Sequence, residues 1–336
     1  MTPPLPASPL VDMHDRAVRY VRLSVTDRCD LRCTYCMPRD QTFAPRADLL
    51  SLEELDRLAS LFIAHGVDHI RITGGEPLVR SDTLPLMRRL ARHLDGGGLS
   101  ELLLTTNGTR LARHADALAD LGLRRVNVSL DSLRPERFAA ITRLGRLETV
   151  LDGIAAASQA GLAVKINMVV DGRDPVDAVF ETVEWAHGQG HDISLIEKMP
   201  MASGSEDCGY VSLTDVRHKL AARWTLVPLD VRTAGPSHYV AVKETGGRIG
   251  FITPMSDNFC ASCNRIRITA TGRLYPCLGH DLYFDFRHIM RGGGDDAALA
   301  ELTRKALRQK PAQHDFVAAH DAGRAAVTRA MAVTGG

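Results

Sequence analysis

Short runs of strictly alternating residues recur along the first two-thirds of the chain. Val21, Leu23 and Val25 alternate with Arg22 and Ser24, and Ile70 and Ile72 with Arg71 and Thr73. Val126, Val128 and Leu130 alternate with Asn127, Ser129 and Asp131, and Val164, Ile166 and Met168 with Lys165 and Asn167. A period of two is the signature of a strand with two unlike faces. The pattern predicts strands over 20–25, 68–73, 101–105, 125–130, 163–169 and 192–197. Between them apolar residues recur at helical spacing, as in Leu52, Leu55, Leu58, Ala59 and Phe62, which predicts helices over 51–65, 82–94, 110–121, 147–160 and 175–187. Gly66, Gly122, Gly161 and Gly188 stand where four of these helices should close. Strands alternating with helices imply an α/β fold with a parallel sheet and right-handed crossovers. Six such units predict an incomplete (β/α)6 parallel TIM-like barrel, followed by a C-terminal extension.

The alternation itself carries information. Strands packed on both faces read as continuously apolar. Here one face is apolar and fits under the helices, so the other must line a polar lumen containing Arg22, Arg71 and Lys165. Buried cations require partners. Internal salt bridges would serve, and so would an anionic ligand. The ligand is favoured because every one of these strands leads toward the rim where a cysteine-rich loop follows the first strand.

Composition narrows the setting. Of 336 residues, 45% are hydrophobic, and Lys plus Arg at 41 nearly balances Asp plus Glu at 40. That balance gives no reason to expect a nucleic-acid partner, and no apolar run is long enough to span a membrane. Seven cysteines, an odd number in clusters, favour reduced thiols and metal ligation, so a cytoplasmic location is expected. A proline-rich stretch over 1–12 reads as a mobile tail, 13–230 as the barrel and 231–336 as the extension.

Cys29, Cys33 and Cys36 form C-x3-C-x2-C, with Tyr35 before the last cysteine. A structural zinc ion takes four ligands. Three thiolates on a four-iron cluster leave one iron open to a substrate or cofactor. Cys260, Cys263 and Cys277 form a second trio, C-x2-C-x13-C. His280 could complete a zinc site there, and a second cluster with an open iron is the other reading. Arg265 and Arg267, at alternate positions after Cys263, point to one side of an extended chain and suit an anion. Cys208 is left as an ordinary cysteine. No GxxxxGK[ST] phosphate loop is present.

The first cysteine motif resembles that of radical S-adenosylmethionine (SAM) enzymes. With the second trio, the segments Thr73-Gly74-Gly75-Glu76-Pro77, Thr105-Thr106-Asn107-Gly108, Val128-Ser129-Leu130-Asp131-Ser132-Leu133 and Cys263-Asn264-Arg265, and the terminal Gly335-Gly336, the chain resembles the GTP 3′,8-cyclases of molybdenum cofactor biosynthesis from about residue 20 to its end. The resemblance implies two [4Fe-4S] clusters, one on Cys29, Cys33 and Cys36 and one on Cys260, Cys263 and Cys277. It implies SAM contacts from Tyr35, Gly75, Ser129 and Met199, and GTP contacts from Arg22, Arg71, Thr105, Lys165, Arg265, Ile266 and Arg267. Gly335 and Gly336 are implied to enter the barrel and act in catalysis. The implied reaction converts GTP to 3′,8-cyclo-7,8-dihydro-GTP, with 5′-deoxyadenosine and methionine as co-products. An external one-electron reductant and a downstream cyclic pyranopterin monophosphate synthase are the implied partners, with a homodimer as an open arrangement. Family members commonly carry an arginine near the position of Ser194; this chain does not, and Lys198 is the nearby cation that could stand in for it. A peptide-modifying radical SAM enzyme and a non-catalytic iron–sulfur sensor are the competing readings.

Overall fold

The computed structural model describes residues 9–202, 209–231 and 233–335. Six parallel strands form its centre: β1 (Tyr20–Ser24), β2 (His69–Thr73), β3 (Glu101–Thr106), β4 (Arg125–Ser129), β5 (Ala163–Val170) and β6 (Asp192–Glu197). The helices between them are α1 (Leu52–Ala64), α2 (Thr83–Asp95), α3 (Leu111–Asp120), α4 (Pro135–Thr142), α5 (Leu147–Gln159) and α6 (Val176–Gly188), and α7 (Leu213–Arg223) follows β6. The expected strands and helices are all present. Helix α4 was not expected from the sequence: it is only two turns long, too short for a clear apolar period.

Local chemistry explains the boundaries. A reciprocal capping box starts α1, where Glu54 N donates to Ser51 Oγ at 3.2 Å and Ser51 N donates to Glu54 Oε2 at 2.8 Å. Gly66, Gly122 and Gly161 adopt positive φ after α1, α3 and α5, the left-handed stop that glycine accepts without strain. Gly188 is a correction. It lies inside α6, and Gly190 takes the left-handed conformation with φ of 74°.

The sheet does not close. Among the described residues its order is β12-β11-β10-β1-β2-β3-β4-β5-β6-β9-β8-β7. The chain beyond β6 therefore adds strands at both edges, beginning with β7, which lies just before the expected start of the extension at residue 231. On one side β7 (Leu226–Leu229), β8 (His238–Val242) and β9 (Arg248–Ile252) continue from β6, with β9 parallel to it. On the other, β10 (Arg265–Ile268) pairs in parallel with β1, followed by β11 (Arg273–Tyr275) and β12 (Phe284–Asp285). The chain ends through α8 (Phe286–Arg291), α9 (Asp296–Arg308), α10 (Phe316–Asp321) and α11 (Met331–Thr334).

The alternation divides the faces as expected. Val21, Leu23, Ile70, Ile72, Val126, Val128, Ile166 and Met168 all lie in the buried core under the helices. In register on the opposite face stand Arg267, Arg22 and Arg71 across β10, β1 and β2, and Thr105, Asn127 and Lys165 across β3, β4 and β5. Of the stretch expected to be a tail, residues 1–8 lie outside the described part, whereas Leu10 and Asp12 are buried. No helix among the described residues is long and apolar enough to cross a membrane.

Candidate active site

The loops that follow β1 to β4 meet at the carboxyl ends of the strands, the usual catalytic rim of parallel barrels. Below that rim the polar lumen encloses a cavity of about 310 Å³. Both cysteine trios line it, together with Tyr35, Gly75, Ser129, Met199 and every residue expected to contact the nucleotide.

The first trio sits on the loop after β1. Cys36 N and Met37 N both donate to Cys33 O at 3.0 Å, a turn that brings the last two thiols together. The short helix α4 supports this loop: Arg32 N and Thr34 N donate to Thr142 O and Ile141 O, each at 3.0 Å. Asp30 ties it to the loop after β3 by accepting from Asn107 Nδ2 at 2.8 Å and Thr109 Oγ1 at 2.9 Å. None of the three thiols is in a disulfide. Burial pushes Cys29 and Cys36 up to about 12, and Cys33 is raised by burial and by its two fellow thiols. Three crowded thiols that resist ionisation as they stand are a donor set that a cationic iron cluster would stabilise as thiolates.

Neighbouring groups fix the rest of this end. Tyr35 donates its hydroxyl to Asp131 at 2.7 Å, and Asp131 also accepts from Val169 N at 2.9 Å. Gly75 is required by a close approach to the cysteine loop: a Cβ there would lie 2.3 Å from Arg28 O. Glu76, fully buried, accepts from Asn107 N, Leu78 N and Thr106 Oγ1 at 2.6, 2.9 and 2.8 Å. Glu197 binds the Met199 segment to the extension by accepting from Leu213 N, Met255 N and Ser256 N at 3.0, 2.7 and 3.0 Å.

The middle of the cavity is strongly cationic. Arg71 donates to the Tyr20 hydroxyl, and to Thr105 Oγ1 at 3.0 Å. Lys165 donates to the Tyr239 hydroxyl, and to Ser237 Oγ at 3.4 Å. Burial lowers Arg22 to about 10, with Tyr20 opposing and Arg71 and Arg265 adding to the shift. Burial, then Arg22 and Arg265, push Arg267 well below its ordinary value. Burial also lowers Lys165 against the pull of Tyr239. Cations that burden one another in this way favour an anion in their midst. Ile266 differs from its neighbours. Its side chain belongs to the core, so its contribution to the cavity is main chain.

At the far end, Cys260 opens a short 3-10 turn, Cys263 precedes β10 and Cys277 follows β11. His280 turns away from them, with Nε2 3.2 Å from Gln313 O and Nδ1 3.6 Å from Asp315. With its ring engaged there, His280 does not complete a four-ligand zinc site in this arrangement. The end of the chain reaches the same cavity. Ala332 N donates to Cys36 O at 3.3 Å, and Gly335 O accepts from Arg267 Nη1 at 2.6 Å. Gly335 has φ of 78°, and a Cβ on it would lie 2.1 Å from Thr73 Oγ1. Gly336 and Cys208 lie outside the described residues.

Several cavity residues escaped the sequence reading. Asn127 and Asn167 sit at polar lumen positions that the alternation already marked, yet they were given no role. The segment from Thr233 to Ser237, before β8, lines the cavity without any periodic or motif signal that could place it there. Ser194, where the family arginine is missing, is fully buried and pairs its hydroxyl with that of Ser237 at 3.1 Å. Lys198 is on the cavity wall.

Residues 23–186 match the Radical SAM superfamily, and residues 191–316 match the family described as Molybdenum Cofactor Synthesis C. The chain is 53% identical over 339 residues to a GTP 3′,8-cyclase of Rhodopseudomonas palustris, covering 100% of this chain and 98% of that one. It is 53% identical over 333 residues to the GTP 3′,8-cyclase of Bradyrhizobium diazoefficiens, covering 98% of this chain and 96% of the relative. Among solved structures, Streptococcus suis SuiB bound to S-adenosylmethionine superposes with a TM-score of 0.62 at 15% identity, over 95% of this chain and 78% of SuiB. Native anSMEcpe with bound AdoMet gives 0.60 at 16% identity, over 89% of this chain and 82% of that one. At such identities these two likenesses concern the fold alone.

Proposed function

The chain belongs to the GTP 3′,8-cyclase family, a family of radical SAM enzymes, and we propose that its cavity converts GTP to 3′,8-cyclo-7,8-dihydro-GTP at the first step of molybdenum cofactor biosynthesis. The observation that carries this reading is one cavity lined by both cysteine trios, with a row of in-register cations on its wall. When bound, SAM and a [4Fe-4S] cluster would supply the radical chemistry: one-electron cleavage of SAM, transfer of the C3′ hydrogen of GTP to 5′-deoxyadenosine, and joining of C3′ to C8, with a second electron from the external donor and a proton at N7 completing the 7,8-dihydro product and methionine released.

The protein's own part is orientation and exclusion of water. Cys29, Cys33 and Cys36 would hold that cluster, leaving one iron without a protein ligand. Tyr35, Gly75, Ser129 and Met199 line the cavity beside it and are assigned to SAM. Arg22, Arg71, Lys165, Arg265 and Arg267 are assigned to the triphosphate, where charge-assisted bonds are strongest, with Thr105 beside Arg71 and the main chain of Ile266 completing the wall. Lys198, on the cavity wall, is the nearby cation that could stand in for the arginine absent at Ser194. Cys260, Cys263 and Cys277 would hold a second [4Fe-4S] cluster, leaving one iron without a protein ligand that would be available to the guanine end. Gly335 and Gly336 are assigned to the reaction itself. A separate one-electron donor and a downstream cyclic pyranopterin monophosphate synthase complete the proposed setting.

The test is anaerobic reconstitution with iron and sulfide, followed by incubation with GTP, SAM and a strong reductant. Two four-iron clusters, on the order of eight irons per chain, and a product isobaric with GTP are expected. Cleavage of SAM without any GTP-derived product would reject the reading.

A further inference from the structure

Lys310, just after α9, is 3% exposed, and lysines are almost never so buried without a partner. Unlike Lys165, it does not line the cavity, so the nucleotide does not account for it. Its Nζ has three acceptors: Pro276 O at 2.7 Å, Arg265 O at 2.9 Å and Cys263 Sγ at 3.6 Å. Carbonyl oxygens only accept, and a sulfur serving as a metal ligand has no proton to give. An ammonium has three N–H donors and a neutral amine has two, so this site suits the charged form. The two carbonyls belong to the segments that carry Cys263 and Cys277, so one buried cation pins both.

Each cysteine of the second trio has a cation at hand. Arg16 donates to Cys260 O at 2.8 Å, and Arg329 to Cys277 O at 3.5 Å. Those two meet main-chain oxygens, whereas Lys310 meets a sulfur. Arg265 also approaches Cys263, but it stands in the cavity wall with the cations assigned to GTP. Lys310 approaches from the protein side.

We propose that Lys310 is a positioning residue for the second cysteine trio, a built-in counter-ion that holds the iron–sulfur cluster there and favours its reduced state. This rests on the reading of that trio as a cluster site. Three thiolates and the cluster core carry net negative charge, and reduction adds one more. A fixed positive charge a few ångströms from a ligating sulfur stabilises the reduced form more than the oxidised one.

The test is an EPR-monitored redox titration of the full-length reconstituted protein, alongside the full-length Cys29, Cys33 and Cys36→Ala variant, which leaves the second trio as the cluster ligands. Iron is counted first: a second trio that takes up zinc or no iron in the otherwise native protein removes the underlying reading, and the inference with it. Where the cluster forms, Lys310→Met should lower the reduced-to-oxidised ratio at fixed poise roughly tenfold or more, equivalent to about 59 mV for one electron. Lys310→Arg, which keeps the charge, should stay near the parent. Loss of the second cluster in Lys310→Met with retention in Lys310→Arg also supports a charge requirement. An unchanged ratio in Lys310→Met, or loss of the cluster in both variants, overturns the inference and leaves the two-cluster reading standing.

Discussion

Lys165 illustrates how single residues divide the labour of the cavity. Its ammonium is held by two hydroxyls, from Tyr239 and Ser237, and faces the lumen from β5. Hydroxyls position a cation without neutralising it, so the charge remains available to a ligand. Lys165→Met should therefore weaken GTP binding roughly tenfold or more while leaving SAM binding close to the parent value, as read by equilibrium dialysis of each ligand. Equal weakening of both would assign Lys165 to the framework instead. Glu76 has the opposite character. It is buried among donors from its own loop and from the end of β3, and burial raises its pKa from 4.5 to about 7, with its hydrogen bonds to Asn107, Leu78 and Thr106 opposing the shift. An acid with a raised folded pKa binds its proton more tightly folded than unfolded. Its contribution to stability is thus greatest below 4.5 and is lost as pH rises through about 7. The stability difference between the parent and Glu76→Gln, measured by urea unfolding, should shift against the parent by about 3 kcal/mol between pH 4.5 and 8. A difference that does not change with pH would show that Glu76 is not the group titrating.

At the scale of elements, the closing segment of the chain is the one whose position has the sharpest consequence. Helix α11 docks on the first cysteine loop through Ala332, and Gly335 then turns with positive φ against Thr73 and onto Arg267. No side chain fits there without moving the end of β2. Gly335→Ala, or deletion of Gly335 and Gly336, is expected to abolish cyclisation while the iron content and GTP affinity stay near the parent. Turnover at the parent rate in the deletion variant would make this segment dispensable. The same element scale shows what was legible in the sequence. β1 to β6 and their lumen residues could be read because a one-sided strand writes its period into few residues, and Arg22, Arg71 and Lys165 fell at the polar positions. α4 could not, since its eight residues hold no full apolar repeat. Nor could the sheet's edges. β9 against β6 and β10 against β1 are pairings between distant segments, and a strand's own sequence does not state its neighbour.

For the whole molecule, the strands that follow β6 explain why an open sheet can enclose a cavity. β7 to β9 continue one edge and β10 to β12 the other, so the second cysteine trio is carried round to face the first across the cationic lumen. Cysteine spacing alone marked both trios, but their convergence on one cavity depends on this long-range folding. Arg16, Lys310 and Arg329, from three remote parts of the chain, secure the second trio, and no local motif announced them. The central claim is that this cavity places C3′ of GTP where SAM cleavage can remove its hydrogen. The most direct measurement uses GTP deuterated at C3′ in a reconstituted single-turnover reaction and weighs the 5′-deoxyadenosine formed. The account predicts one deuterium in 5′-deoxyadenosine together with a cyclised product lacking it. Unlabelled 5′-deoxyadenosine beside GTP that keeps its deuterium would contradict it.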